Sequence, residues 1–156
     1  DLKLTLTDRA GCEQMADTIS ITSEGGEQFF KHFYNYMDTS RQNLKHLYHE
    51  ESKVVWNGHC LAGRANVEKF MTELPTSTHK PFSLDCQPIA PQTLPGQEPA
   101  DPMILVSVMG TVQFGSIEAT PPPAQRAFCQ SFVLGKDAAT GSYFIVTDNY
   151  RFLTDN

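Results

Sequence analysis

The sequence predicts an α+β domain, with helices first and a bent antiparallel sheet after them. Three observations carry that expectation. Apolar residues recur at helical spacing as far as Pro75, and long alternating runs begin near Thr78. Proline-rich segments separate those runs, and proline cannot donate to a sheet ladder.

Phe29, Phe33 and Met37 recur every four positions with Phe30 and Tyr34 beside them, giving one broad apolar stripe. Upstream, Cys12, Met15, Ala16 and Ile19 repeat the spacing. Gly25-Gly26 stands between the two patterns. A glycine inside a helix costs about 1 kcal/mol, so either a break or a weak point in one long helix is expected. Asp38-Thr39-Ser40 offers cap residues for a second, short helix carrying Leu44, Leu47 and Tyr48. Lys53-Val54-Val55-Trp56 reads as a short strand closed by Asn57-Gly58, a turn pair that tolerates positive φ. After Gly63, the positions Val67, Phe70, Met71 and Leu74 fit a third helix, which Pro75 ends. Four strands follow: Phe82 to Cys86, Met103 to Phe114, Arg126 to Leu134 and Tyr143 to Leu153. The stretches Gln87 to Pro102 and Ala119 to Ala124 read as loops outside the sheet, and Asp137 to Gly141 as the last turn.

A chain of 156 residues predicts one domain over 1–156. With 40% hydrophobic and 19% charged residues it falls among globular rather than disordered chains. No apolar run approaches the roughly 18 residues of a membrane span, and Asp1-Leu2-Lys3-Leu4-Thr5 holds no signal-peptide core. The net charge of −6 argues against autonomous strong nucleic-acid binding, which needs a basic stripe to displace counterions. Arg41, Lys45, His46 and His49 form an ordinary solvated helix face, so RNA contact is expected at most as an accessory surface beside a basic partner. Cys12, Cys60, Cys86 and Cys129 lie far apart without a C-x-x-C pair, which reads as four reduced thiols in an intracellular protein. His46 and His49 make an i,i+3 pair with no third ligand, so no metal is expected.

The strand alternation bears on function. Ile104, Val106, Val108, Val112 and Phe114 alternate with Met103, Leu105, Ser107, Met109 and Thr111. In the final strand, Phe144, Val146, Tyr150 and Phe152 alternate with Ile145, Thr147, Asn149, Arg151 and Leu153. Both faces are substantially apolar, so both need a cover. Three helices cover one. The other lines a pocket or packs on a second protein.

For a pocket with chemistry, the inventory is Asp38, Tyr34, Tyr36, Asp85, His59 and His79. An aspartate base with a tyrosine donor in an apolar cone can enolise a ketone. Each residue has a simpler role, however, as a cap, a strand edge or a turn neighbour. No H-E-x-x-H, G-x-S-x-G, phosphate loop or dinucleotide fingerprint occurs, so neither an enzyme nor a cofactor is expected. For a protein interface, Arg151 stands out amid Tyr150, Phe152 and Leu153. Its rigid fork suits a carboxylate in a partly buried setting. That carboxylate belongs to a partner, or to Asp148 or Asp155 of the same chain.

Several motifs, taken in order, carry a resemblance. They are Val55-Trp56-Asn57-Gly58, Gly63, Phe70 with Leu74-Pro75, and Asp85-Cys86-Gln87-Pro88. Phe128-Cys129-Gln130-Ser131-Phe132-Val133-Leu134 and Asp148-Asn149-Tyr150-Arg151-Phe152 follow, with Tyr34, Met37-Asp38 and Leu47-Tyr48 agreeing upstream. Together they resemble the nuclear transport factor 2-like family over roughly Glu27 to Phe152, and within it the branch of small mRNA export subunits. The resemblance implies a cone of three N-terminal helices packed on a bent antiparallel sheet. It implies a heterodimer, sheet face to sheet face, with the matching domain of the large mRNA export receptor (TAP type). Phenylalanine-glycine repeats of the nuclear pore would be met indirectly, through that partner. The implied location is the nucleus and nuclear pore, with shuttling to the cytoplasm. In this family the arginine of the terminal Arg-Phe pairs with an aspartate of the partner, and that position is Arg151. The implied partner interface is Arg151, Asn149, Thr147, Tyr150 and Gln130. The proline-rich loops and the stretch before Glu27 depart from the animal pattern, consistent with a lineage-specific form such as the fungal counterpart. The alternatives are a homodimeric carrier of a small GTPase, and a small-molecule isomerase or dehydratase on the same fold.

Overall fold

The stripe of Phe29, Phe33 and Met37 becomes the buried face of helix α1 (Leu6–Thr39) in a computed structural model. The structure describes residues 6–89 and 101–153, apart from the side chains of 6–18, 20 and 21. Helix α1 runs unbroken through Gly25-Gly26, so the weak point is not a break. Gly26 is there for contact: a Cβ would lie 2.4 Å from Cys86 Sγ and 2.9 Å from Cys86 Cβ. The expected second helix is a 3-10 helix, Arg41–Leu47, whose N-cap Ser40 makes no side-chain cap bond. Asp38 is not its cap either, because its carboxylate turns to the start of strand β3. Helix α2 (Arg64–Glu73) follows Gly63, and Leu74 is extended ahead of Pro75 as the proline rule requires. Arg41 ties these pieces together, donating to the carbonyls of Met37 (2.8 Å) and Leu74 (2.6 Å) and to Ser77 Oγ (2.8 Å).

The six strands are β1 (Tyr48–Trp56), β2 (His59–Ala62), β3 (Ser77–Ile89), β4 (Met103–Phe114), β5 (Arg126–Lys136) and β6 (Tyr143–Phe152). Their order across the sheet is β2-β1-β6-β5-β4-β3. Three features correct the expectation. The short run before Asn57-Gly58 extends back to Tyr48, and β2 turns it into a hairpin. Strand β3 takes in Gln87, Pro88 and Ile89, which the proline content had assigned to a loop. A proline is tolerated there because β3 is an edge strand. Finally, the sheet is mixed rather than antiparallel, since β1 lies parallel to β6. Nothing local marks that pairing, which joins distant parts of the chain.

Period-two alternation sorts the side chains of the sheet. Val106, Val108, Phe128, Phe132, Ile145 and Tyr150 face inward and pack with Phe33, Tyr34 and Met37 of α1 in one core. At the β3 bulge beside Ser83, Gly110 admits the edge strand: a Cβ would sit 2.8 Å from Lys80 O and from Pro81 Cα. The helices thus occupy one side of the sheet.

Candidate protein interface

The opposite side can be read from register. Arg151 pairs with Cys129, Cys129 with Met109 and Met109 with Ser83. One row on, Asn149 pairs with Ser131, Ser131 with Ser107 and Ser107 with Asp85. The next row runs Thr147, Val133, Leu105 and Gln87, while Lys53 and Val55 extend the face on β1. These residues range from half-buried to exposed, and Met109 and Met103 are each 42% exposed. No helix among the described residues packs on this face. A cavity of about 450 Å³ lined by His49, Lys53, Phe144, Val146 and Thr147 notches one end of it.

Arg151 is exposed on this face and makes no hydrogen bond or ion pair with any described residue. Asp148, one of its internal candidates, is 0% exposed and points into the core. Asp155 lies outside the described residues. Asn149 and Thr147 share the face with Arg151, separated by the two-residue period.

Tyr150 and Gln130 do not. They are 2% and 1% exposed and face the core, so a partner on the outer face does not reach them. Tyr150 is sandwiched between Trp56, stacked at 3.8 Å, and Phe128, at 5.2 Å. Trp56 stands beside Tyr150 because the parallel register pairs them. Asn57 locks that register: its N donates to Tyr150 O (2.9 Å), and its Oδ1 accepts from Phe152 N (2.8 Å). With φ of 48° at Asn57 and 88° at Gly58, the Trp-Asn-Gly motif serves both the hairpin turn and the end of β6.

Gln130 belongs to a buried polar network. Tyr34 OH donates to Gln130 Oε1 (2.8 Å), and Gln130 Nε2 donates to Asp148 Oδ1 (2.8 Å). Tyr48 OH donates to Asp148 Oδ2 (2.7 Å). Burial pushes the Asp148 carboxyl up to about 6, against the two hydrogen bonds, which favour the ionised form.

Of the residues considered for catalysis, the structure gathers Asp38, His79 and Tyr34. Asp38 Oδ1 meets His79 Nδ1 at 2.6 Å, while its Oδ2 accepts from His79 N (2.8 Å). Ser77 Oγ also donates to Asp38, at 2.7 Å. Burial raises the Asp38 carboxyl, but the bonds and charge of His79, with the Ser77 bond, hold it below the ordinary range. Tyr34 and His79 rings lie 5.2 Å apart. Tyr36, Asp85 and His59 stand elsewhere, Asp85 and His59 being exposed. His79 Nε2 is buried without a partner. The apolar cavity beside Trp56 is lined by none of these groups. The dyad fastens the end of α1 to β3, a link that the spacing of Asp38 and His79 does not show in sequence. Among the described residues no three His, Cys, Asp or Glu side chains cluster as a metal site, and Cys60, Cys86 and Cys129 are free thiols. Cys12 lies outside the described side chains.

Residues 25–152 match the nuclear transport factor 2 (NTF2) domain. The chain belongs to that family. It is 32% identical to NTF2-related export protein 1 of Bos taurus over 128 residues, covering 81% of this chain and 84% of the relative. It is 30% identical to nuclear transport factor 2 of Dictyostelium discoideum over 132 residues, covering 83% and 91%. A solved complex of the Chaetomium thermophilum Mex67 NTF2-like domain with Mtr2 superposes with a TM-score of 0.65 at 17% identity, covering 85% of this chain and 98% of that one. The last is a likeness of fold. In this chain the helices lie on the inner face of the sheet, and no described helix covers the outer one.

Proposed function

We propose that this chain is the small, non-catalytic subunit of an mRNA export receptor. Its outer sheet face, with Arg151, Asn149 and Thr147, packs on the NTF2-like domain of the large subunit. The observation that carries the reading is Arg151, a guanidinium with no described partner on a half-apolar sheet face that no helix covers. A relative, an NTF2-related export protein, supports the assignment, and so does a likeness of fold to a complex in which an NTF2-like domain is bound to Mtr2. In this reading Arg151 takes a partner carboxylate, and nuclear pore repeats are reached through the large subunit. The chain then works in the nucleus and at the pore, shuttling to the cytoplasm. RNA contact stays accessory on a chain of net charge −6.

Co-expression with the large receptor's NTF2-like domain, followed by light scattering across a sizing column, tests this. A single one-to-one peak is expected. Arg151→Ala should weaken the pairing by about 2–5 kcal/mol, the cost of leaving its carboxylate partner unpaired. Arg151→Asp should weaken it further. Separate peaks remove the export reading, and a symmetric homodimer would instead favour a self-paired carrier.

A further inference from the structure

On the core side of the sheet, at the end away from the outer face, a cavity of about 370 Å³ opens beside Trp56. Trp56, Leu74, Phe114, Pro123, Arg126 and Phe152 are among its lining residues. Its size lies in the range of small-molecule sites, roughly 300–1,000 Å³. The walls are fixed by packing. Trp56 and Phe152 meet Phe114 edge-on, at 6.3 Å and 6.1 Å, and the Phe152 backbone is held by Asn57. The far wall is the proline segment. Pro123 O accepts from Gln113 Nε2 (2.9 Å), and Gln125 Nε2 donates to Thr111 Oγ1 (2.6 Å). Pro123 also closes on Gly115, where a Cβ would lie 3.1 Å from Pro123 Cγ. A segment that composition marks only as a loop is therefore pinned at Pro123 and at Gln125.

Arg126 alone among the lining residues is charged. Its guanidinium stands 5.1 Å from the centre of the Phe152 ring, an attraction that holds it at the mouth. It makes no ion pair with any described carboxylate. On a chain with an excess of acidic residues, an unpaired guanidinium over an apolar cavity selects an anion. We propose that this cavity binds a small amphipathic carboxylate. Its aromatic or branched apolar body lies against Trp56, Phe114 and Phe152, and its head takes the Arg126 fork in a paired hydrogen bond. An extended peptide is disfavoured because β4 and β5 beside the cavity are each paired on both sides, leaving no edge for strand addition.

Trp56 is the only tryptophan, so its emission reports this wall directly. The probes are 4-phenylbutyrate, 4-phenylbutanamide and 4-phenylbutylamine, with acetyl-Asp-Phe-Asp-amide as a peptide control. Phenylbutyrate should shift the Trp56 emission saturably, and loss of the charged pair should cost the amide about tenfold in affinity. The amine should bind more weakly still. Arg126→Glu, on an exposed side chain, should reverse the order of acid and amine. Ala124→Leu, which fills the mouth without changing charge, should weaken all three. Equal affinities for acid, amide and amine, or an order that survives Arg126→Glu, would overturn the proposal. So would saturable binding of the peptide alone, which would make the cavity a docking point for a protein segment.

Discussion

Arg151 and Asp148 stand three residues apart on β6, and the period of two sends them to opposite faces. The first is solvated and unpaired among the described residues. The second is fully buried, held by Tyr48 and Gln130. Burial without a cation leaves the folded Asp148 carboxyl near 6, above the roughly 4 of an exposed aspartate. The native state therefore binds this proton more tightly than the unfolded chain does. The stabilisation is full below about pH 4 and is lost as pH rises through about 6, on the order of 3 kcal/mol in all. Asp148→Asn keeps an acceptor for Gln130 and removes the titration. The fall in urea-unfolding free energy between pH 4 and 6 should flatten in that variant. A slope that survives would assign the proton elsewhere. Asp38 is not the source, because its lowered carboxyl loses its contribution only as pH falls below about 4. The same alternation already sets Tyr150 and Arg151 on opposite faces in the sequence, although the expected interface held both. Gln130 shares the inward face of Phe128 and Phe132 by the same period, but the partners that satisfy it, Tyr34 and Asp148, come from distant segments and were not legible.

At the level of elements, α2 was legible nearly to the residue, since its spacing, Gly63 and Pro75 all act locally. The joining of α1 across Gly25-Gly26 was not, because helix propensity counts the cost of glycine and omits what packs against it. Gly26→Ala sets two effects against each other. Alanine recovers about 1 kcal/mol of helix propensity. Its Cβ, however, would fall 2.4 Å from Cys86 Sγ and 2.9 Å from Cys86 Cβ, so strand and helix must part. Overpacking of that kind costs about 1–3 kcal/mol, and the clash wins. Urea unfolding should show a lower midpoint for Gly26→Ala, with part of the loss restored by adding Cys86→Ala. A midpoint at or above wild type would mean that α1 stands further from β3 than described. The Asn57-Gly58 turn is a local mark of the β1–β2 hairpin, but the parallel β1–β6 contact left none, since the Asn57 side chain that aligns it reads in sequence only as a turn.

For the whole molecule, one face of the sheet is buried by helices and no described helix covers the other, which the proposed function gives to a second protein. That second cover acts on stability by mass action, because a partner binding only the folded state shifts the unfolding equilibrium. Excess NTF2-like domain at about 100 times its dissociation constant should add about 2.7 kcal/mol, read as a higher Tm for this chain. A Tm indifferent to the partner, yet rising with the chain's own concentration, would point to self-pairing. The helices do not all come first, since β1 and β2 precede α2. The α+β class and the open face were legible in composition and alternation. The mixed sheet was not.

That mixed sheet bears on how the protein is made. Strand β1 leaves the ribosome ahead of β2 to β5, and its parallel neighbour β6 follows all of them. The hairpin of β1 and β2 therefore waits with an open edge while α2 and the strands β3 to β5 are synthesised. A nascent chain stopped before Tyr143 lacks the strand that joins its first half to its second. Closure of the sheet is deferred until β6 has emerged, and the earlier strands depend on whatever shields their edges in the meantime.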